Sequence, residues 1–185
     1  MTNLYVLGEI LDSDAKAIAV VGSRKISVRG RRLTESFVKS LVKAGFTIVS
    51  GLARGVDTLA HMTALAFGGR TIAVLGSGID VIYPPENKNL AAKIVKNGAL
   101  VSGFAKGTPP YAKNFLARNK IVAGLSKSVL VIEGARRSGT LSTASWAANF
   151  GLDVYAVPGC VASDWLIGEG AIKVITPQDL LDKIE

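Results

Sequence analysis

Residues 46–75 read FTIVSGLARGVDTLAHMTALAFGGRTIAVL. A strand-like run at 46–50, apolar but for Thr47 and Ser50, ends in a glycine-rich turn. A helical pattern over 55–67 closes on Gly68-Gly69, and a second apolar run follows at 71–75. Strands that are apolar throughout, without polar alternation, are buried on both faces, as in a parallel sheet. Two such strands joined by one helix make a right-handed crossover unit.

The same alternation extends in both directions. Strands are expected at 18–21, 99–102, 128–132 and 153–157, with a short one at 171–174. Helices are expected at 30–44, 87–97, 115–125, 140–150 and 177–184, and a short one at 164–168. Repeated βα units predict an α/β fold: an extended Rossmann-like, doubly wound, mostly parallel sheet with helices on both faces. The whole chain, 1–185, reads as one such domain. Residues 1–15 read as an N-terminal extension strapped to its edge, with no second domain expected beside it.

The 185 residues are 49% hydrophobic, which gives a core and excludes disorder as the dominant state. No apolar run reaches the ~18 residues of a membrane span. The N-terminus lacks the basic region and cleavage site of a signal peptide, so a cytoplasmic location is expected. One cysteine, Cys160, and one histidine, His61, leave no disulfide framework and no multi-ligand zinc site. No metal and no cofactor are expected.

The formal net charge is +8. Residues 23–43 hold Arg24, Lys25, Arg29, Arg31, Arg32, Lys39 and Lys43 against one acid, Glu35. Residues 103–137 hold Lys106, Lys113, Arg118, Lys120, Lys127, Arg136 and Arg137 against one acid, Glu133. If the fold brings the two stretches together, they make a field suited to a polyphosphate.

Strand carboxyl ends face one crevice in this architecture, and here they are rich in glycine. They read Gly22-Ser23-Arg24, Ser50 to Gly55, Gly76-Ser77-Gly78, Ser102-Gly103 and Ser138-Gly139-Thr140. One such loop is ordinary turn chemistry, whereas five on one rim favour anion binding through backbone amides. The dinucleotide pattern GxGxxG is absent after the first of these strands, and so is the phosphate loop GxxxxGK[ST]. Nicotinamide and ATP enzymes are therefore disfavoured.

These motifs, taken in order, resemble the DprA/Smf family, the DNA-processing proteins of bacterial natural transformation. The matching stretches are Ala17 to Arg24, Val49 to Asp57, Ile72 to Asp80 with Tyr83-Pro84 and Asn87, Phe115 to Ser126, Ser138 to Ala144, and Val157-Pro158-Gly159. The resemblance implies single-stranded DNA binding without an established catalytic reaction, dimerisation, and delivery of the strand to a RecA-type recombinase. The sequence departs from the family at Gly103, where a Glu is usual, at Lys120, where an Arg is usual, and in a shortened 160–165 loop.

The DNA-binding candidates are Gly22, Ser23, Arg24, Lys25, Arg54, Lys113, Phe115, Arg118, Asn119, Lys120, Ser138, Gly139 and Thr140. Phe115, Arg118, Asn119 and Val122 share one helical face, which suits base stacking beside phosphate contacts, although a helical Phe is more often core. Ser138 also reads as a helix N-cap. His61, Asp57 and Asp80 read as structural. Two competing functions are a nucleotide phosphoribohydrolase similar to the lysine-decarboxylase-like (LOG) proteins and a nucleotide-sensing domain of that superfamily. The first is weakened because Ser142 stands where those enzymes carry a Glu. Leu180, Leu181 and Ile184 form an apolar stripe, expected to serve a homodimer or to pack on the chain's own sheet.

Overall fold

The computed structural model describes residues 4–135 and 138–184. Eight strands form one sheet: β1 Tyr5–Gly8, β2 Ala17–Val21, β3 Thr47–Ser50, β4 Thr71–Leu75, β5 Gly98–Ser102, β6 Ser128–Val131, β7 Asp153–Ala156 and β8 Ile172–Lys173. Seven α-helices connect them: α1 Val28–Lys43, α2 Val56–Ala66, α3 Lys88–Asn97, α4 Ala112–Gly124, α5 Gly139–Asn149, α6 Val161–Gly168 and α7 Pro177–Ile184. The expected order of elements is thus present. α4 and α6 each begin three residues earlier than their apolar patterns suggest. The N-terminal segment supplies a strand and a 3-10 turn at Asp12–Lys16.

The strand order is β1-β5-β4-β3-β2-β6-β7-β8, parallel except for β1, which runs antiparallel to β5 on the edge. A plain Rossmann order would place β5 beside β2. Here β5 instead pairs outside β4, with Ile72 opposite Ala99. The chain then returns through the 103–111 loop and α4 to lay β6 beside β2, Ala19 opposite Val129. The direction of winding still reverses between β2 and β6, so the crevice opens at their carboxyl ends.

Alternate residues of each inner strand feed opposite layers. Ala19, Val49, Val74, Val101 and Val131 pack with Val122, Ala123, Ala144 and Ala147 of α4 and α5. Ile18, Val20, Ile48 and Leu130 pack with Phe37, Val38, Leu41, Ala60 and Leu180 of α1, α2 and α7. α1 and α4 therefore lie on opposite faces of the sheet. The two basic stretches meet only where their ends reach the rim. Arg31, Arg32, Lys39 and Lys43 are exposed on α1, away from α4, and Arg136 and Arg137 lie outside the described residues.

The apolar stripe of α7 belongs to the chain's own core. Leu180 is completely buried, and Leu181 and Ile184 pack against the same cluster. Of its two expected fates the internal one is seen for Leu180, because α7 lies against α1 and joins the cluster that holds Phe37 and Leu41.

Candidate nucleic-acid interface

A crevice of about 650 Å³ opens over the carboxyl ends of β2 and β6. Ten of the thirteen candidates line it: Gly22, Ser23, Arg24, Lys25, Phe115, Arg118, Asn119, Ser138, Gly139 and Thr140. Arg54 sits just outside, in a smaller pocket with Arg24, Tyr83 and Phe115. Lys113 and Lys120 are exposed on α4 and flank the crevice rather than line it. Among the lining residues Asp57 is the one carboxylate, and it is buried.

The turn after β2 aims a cation at an aromatic ring. Ser23 Oγ donates to the Lys25 carbonyl (2.9 Å) and accepts from its amide (3.1 Å), which closes a tight turn. Arg24, at its apex, is exposed and lies 5.2 Å from the centroid of Phe115. The Tyr83 ring lies 5.6 Å from the same centroid at 47°. Phe115 thus sits between a guanidinium and a second ring, half exposed toward the crevice. Gly76 makes room for it, since a Cβ there would come within 2.7 Å of the Phe115 ring.

Arg118 has a different task from the expected phosphate contact. Its side chain is buried, 4% exposed, and Nη1 donates to the carbonyls of Gly51 and Val74, the latter at 2.5 Å. It thereby caps the ends of β3 and β4 from below the crevice floor. A side chain at Gly51 would collide with this guanidinium. Asp57 lies alongside and accepts from the amides of Gly51 (3.1 Å) and Ala53 (3.4 Å). Burial pushes the Asp57 carboxyl above the ordinary carboxylate range, against the pull of Arg118. The same burial pushes the Arg118 guanidinium down, against the pull of Asp57. Asn119, also buried, donates to the Gly139 carbonyl at 3.0 Å and ties α4 to the start of α5.

The five glycine-rich strand ends do not all face a ligand. The 50–55 loop directs the amides of Gly51 and Ala53 at Asp57. The Gly78 amide donates to Thr108, and Ser102 Oγ bonds Ser77 and Phe104. At α1 the start is capped by Ser27, which also donates to Glu133 (2.6 Å), so a carboxylate of the chain already serves that terminus. The turns at 22–24 and 138–140 remain open. Ser138 occupies the N-cap position of α5, yet its Oγ makes no cap bond and has no partner among the described residues. Ser138, Gly139 and Thr140 nevertheless line the crevice, so the first turn of α5 borders it, where helix-start amides suit an anion.

Arg54 forms a 2.5 Å ion pair with Glu86, both about half exposed. Its charge is thus partly met within the chain. Sequence reasoning missed Leu116, Thr143 and Pro110 as lining residues, and it named Tyr83 only as part of a motif. Only the adjacency of Tyr83 to Phe115 in space reveals its place, because 32 positions separate them.

A family model described as DNA recombination-mediator protein A matches residues 2–185. The Smf protein of Escherichia coli K12 is 45% identical over 98% of this chain and 50% of its own length. The solved structure of DNA processing protein A (DprA) from Streptococcus pneumoniae superposes with a TM-score of 0.89 at 41% identity, covering 98% of this chain and 66% of that one. A structure of DNA processing protein A from Helicobacter pylori, described as giving insight into that protein's single-stranded DNA binding mode, also reaches 0.89. Its identity is 29%, and it covers 98% of this chain and 86% of that one. The chain spans about half the length of the Smf relatives it matches first. With a family match over nearly its whole length, the chain belongs to the DNA recombination-mediator protein A family.

Proposed function

We propose that this chain binds single-stranded DNA in the crevice between the 22–25 turn, α4 and the start of α5. The observation that carries the reading is the juxtaposition of Arg24 over Phe115 with the start of α5, Ser138 to Thr140, across the same opening. A cation and an open helix terminus suit phosphate, and an accessible ring suits a base. A single strand offers both at once, whereas a duplex keeps its bases stacked inside. The relative whose structure is described in terms of a single-stranded DNA binding mode supports the reading. The test is fluorescence anisotropy with labelled single- and double-stranded oligonucleotides of one sequence. Tighter binding of the single strand is expected, and equal binding of both contradicts the proposal.

On the family resemblance we also propose that the bound strand passes to a RecA-type recombinase and that the working unit is a homodimer. Leu180 of α7 is buried in the chain's own core and is not free for that contact. Light scattering at micromolar protein tests the dimer: a mass near twice 19.3 kDa is expected, and a monomer mass across the range contradicts it. A phosphoribohydrolase gains no support from the crevice, whose one lining carboxylate, Asp57, is buried and taken up by the amides of Gly51 and Ala53.

A further inference from the structure

From the crevice a continuous ridge runs along α4 and α5. Leu116 lines the rim and is 55% exposed. Lys120 follows one turn on, with Nζ lying 5.0 Å from the centroid of Trp146 on α5. Trp146 in turn lies 5.9 Å from Phe150 at an interplanar angle of 32°. Gly124 is one turn beyond Lys120 and carries no side chain. A Cβ there would touch the Phe150 ring at 3.7 Å, so the ring rests on this spot. Leu116, Lys120 and Gly124 recur every fourth residue, which is one face of α4. Trp146 on α5 and Phe150, which caps its carboxyl end, are likewise four residues apart. Thr143, one turn before Trp146, lines the crevice. Neither helix contains an Asp or Glu.

We infer that this α4–α5 ridge is a second stacking platform, on which a single strand continues after leaving the crevice. Phe150 is 42% exposed and Trp146 is half-buried, so the pair presents ring surface without being free to collapse into the core. An aromatic pair with one exposed and one half-buried ring, flanked by lysine on helices without carboxylates, has the chemistry of a base-stacking site: ring surface for bases, an ammonium for the backbone. A folded peptide partner would find no acid to pair with its basic groups here. The ridge from Leu116 to Gly124 is about 12 Å long, room for about three stacked nucleotides. The inference rests on the crevice reading above, because it takes the strand from that site.

The chain has two tryptophans, Trp146 and Trp165 on α6, so Trp165→Phe leaves Trp146 as the sole indole reporter. Binding is read separately from the anisotropy of labelled oligothymidylates of about four and about twenty nucleotides, spanning the range of common single-strand site sizes. Unlabelled oligomers of the same lengths then report on Trp146 emission. The long oligomer is expected to quench Trp146 with the midpoint of its anisotropy curve, and the short one to bind with no quenching. Phe150→Ala is expected to weaken the long oligomer about fivefold or more and to leave the short one within twofold. Lys120→Ala is expected to flatten the salt slope for the long oligomer alone, by about 0.7. Binding of the long oligomer with unchanged Trp146 emission overturns the platform and leaves the crevice intact. Failure of both oligomers to bind overturns both.

Discussion

On the proposed reading, Arg24 and Phe115 do separable jobs on one ligand, although their side chains lie against each other. A cation that neutralises one phosphate of a single strand contributes about 0.7 to the slope of log K against log salt. Arg24→Ala should therefore weaken binding and flatten the slope by about that amount. Phe115→Ala removes a stacking surface of about 1–3 kcal/mol and should leave the slope nearly unchanged. Because Arg24 rests 5.2 Å over Phe115, the two losses should not add in a double-mutant cycle. Salt titrations of the four proteins decide this, and full additivity would mean that the contact has no bearing on binding. Arg118 behaves differently. It is buried beneath the floor, next to Asp57 and bonded to two strand-end carbonyls. Arg118→Ala leaves two buried carbonyls without their donor, and a buried polar group left unsatisfied costs about 1–3 kcal/mol. A urea titration should show that loss, whereas an unchanged midpoint would return Arg118 to the surface role its helical spacing with Phe115 suggested. The sequence made Arg24 and Phe115 legible because a turn apex and a helix start reach solvent. It hid the burial of Arg118, because periodicity names a face and not how deep that face lies. Tyr83 was hidden by distance along the chain.

Helix α2 carries the one buried histidine. His61 is completely buried, with Nδ1 2.6 Å from Thr71 Oγ1, while Thr71 donates its own hydroxyl proton to Ile48. Nδ1 must then carry the proton, and Nε2 has no partner among the described residues. Charging the ring would bury an unmet N–H. Burial, with the charge of Arg118 adding, pushes its pKa from 6.5 down to about 3. The unfolded chain takes up this proton near pH 6.5 and the folded chain does not. Stability should fall as pH drops below 6.5, by about 1.4 kcal/mol per unit from this group, until the folded form also protonates near 3. Urea midpoints at several pH values check this. His61→Leu should remove most of the slope between pH 6.5 and 5, and an unchanged slope would refute the assignment. Helix α7 offers a second test at this scale. Leu180→Ala should cost about 2–5 kcal/mol as a core truncation, and the solution mass should not depend on it in any variant that stays folded. An amphipathic stripe shows that a face must be covered. It does not show whether the chain's own sheet or a second copy covers it, and here only the packing on Phe37 and Leu41 answers that. The glycine-rich strand ends were ambiguous for a related reason: Gly51 and Gly76 admit Arg118 and Phe115 rather than a phosphate.

At the scale of the whole molecule, the order of strands and helices was legible, because continuous apolar runs have few alternatives to a parallel sheet. The position of β5 was not, since strand order depends on which way each crossover turns. It matters little for the site, because winding still reverses between β2 and β6 and the crevice opens there. The net charge of +8 is divided between opposite faces, so only part of it serves the crevice. A general basic field would hold single and double strands alike with steep salt dependence, whereas a crevice lined by the rings of Phe115 and Tyr83 favours the single strand. The deciding measurement is anisotropy binding of one oligonucleotide sequence, single- and double-stranded, to the parent and Arg24→Ala proteins at about 50 and 200 mM salt. The account predicts tighter binding of the single strand by the parent at both salts and, in the variant, weaker binding with a slope lower by about 0.7. Equal affinity for both strands, with a slope that Arg24→Ala leaves unchanged, would contradict it.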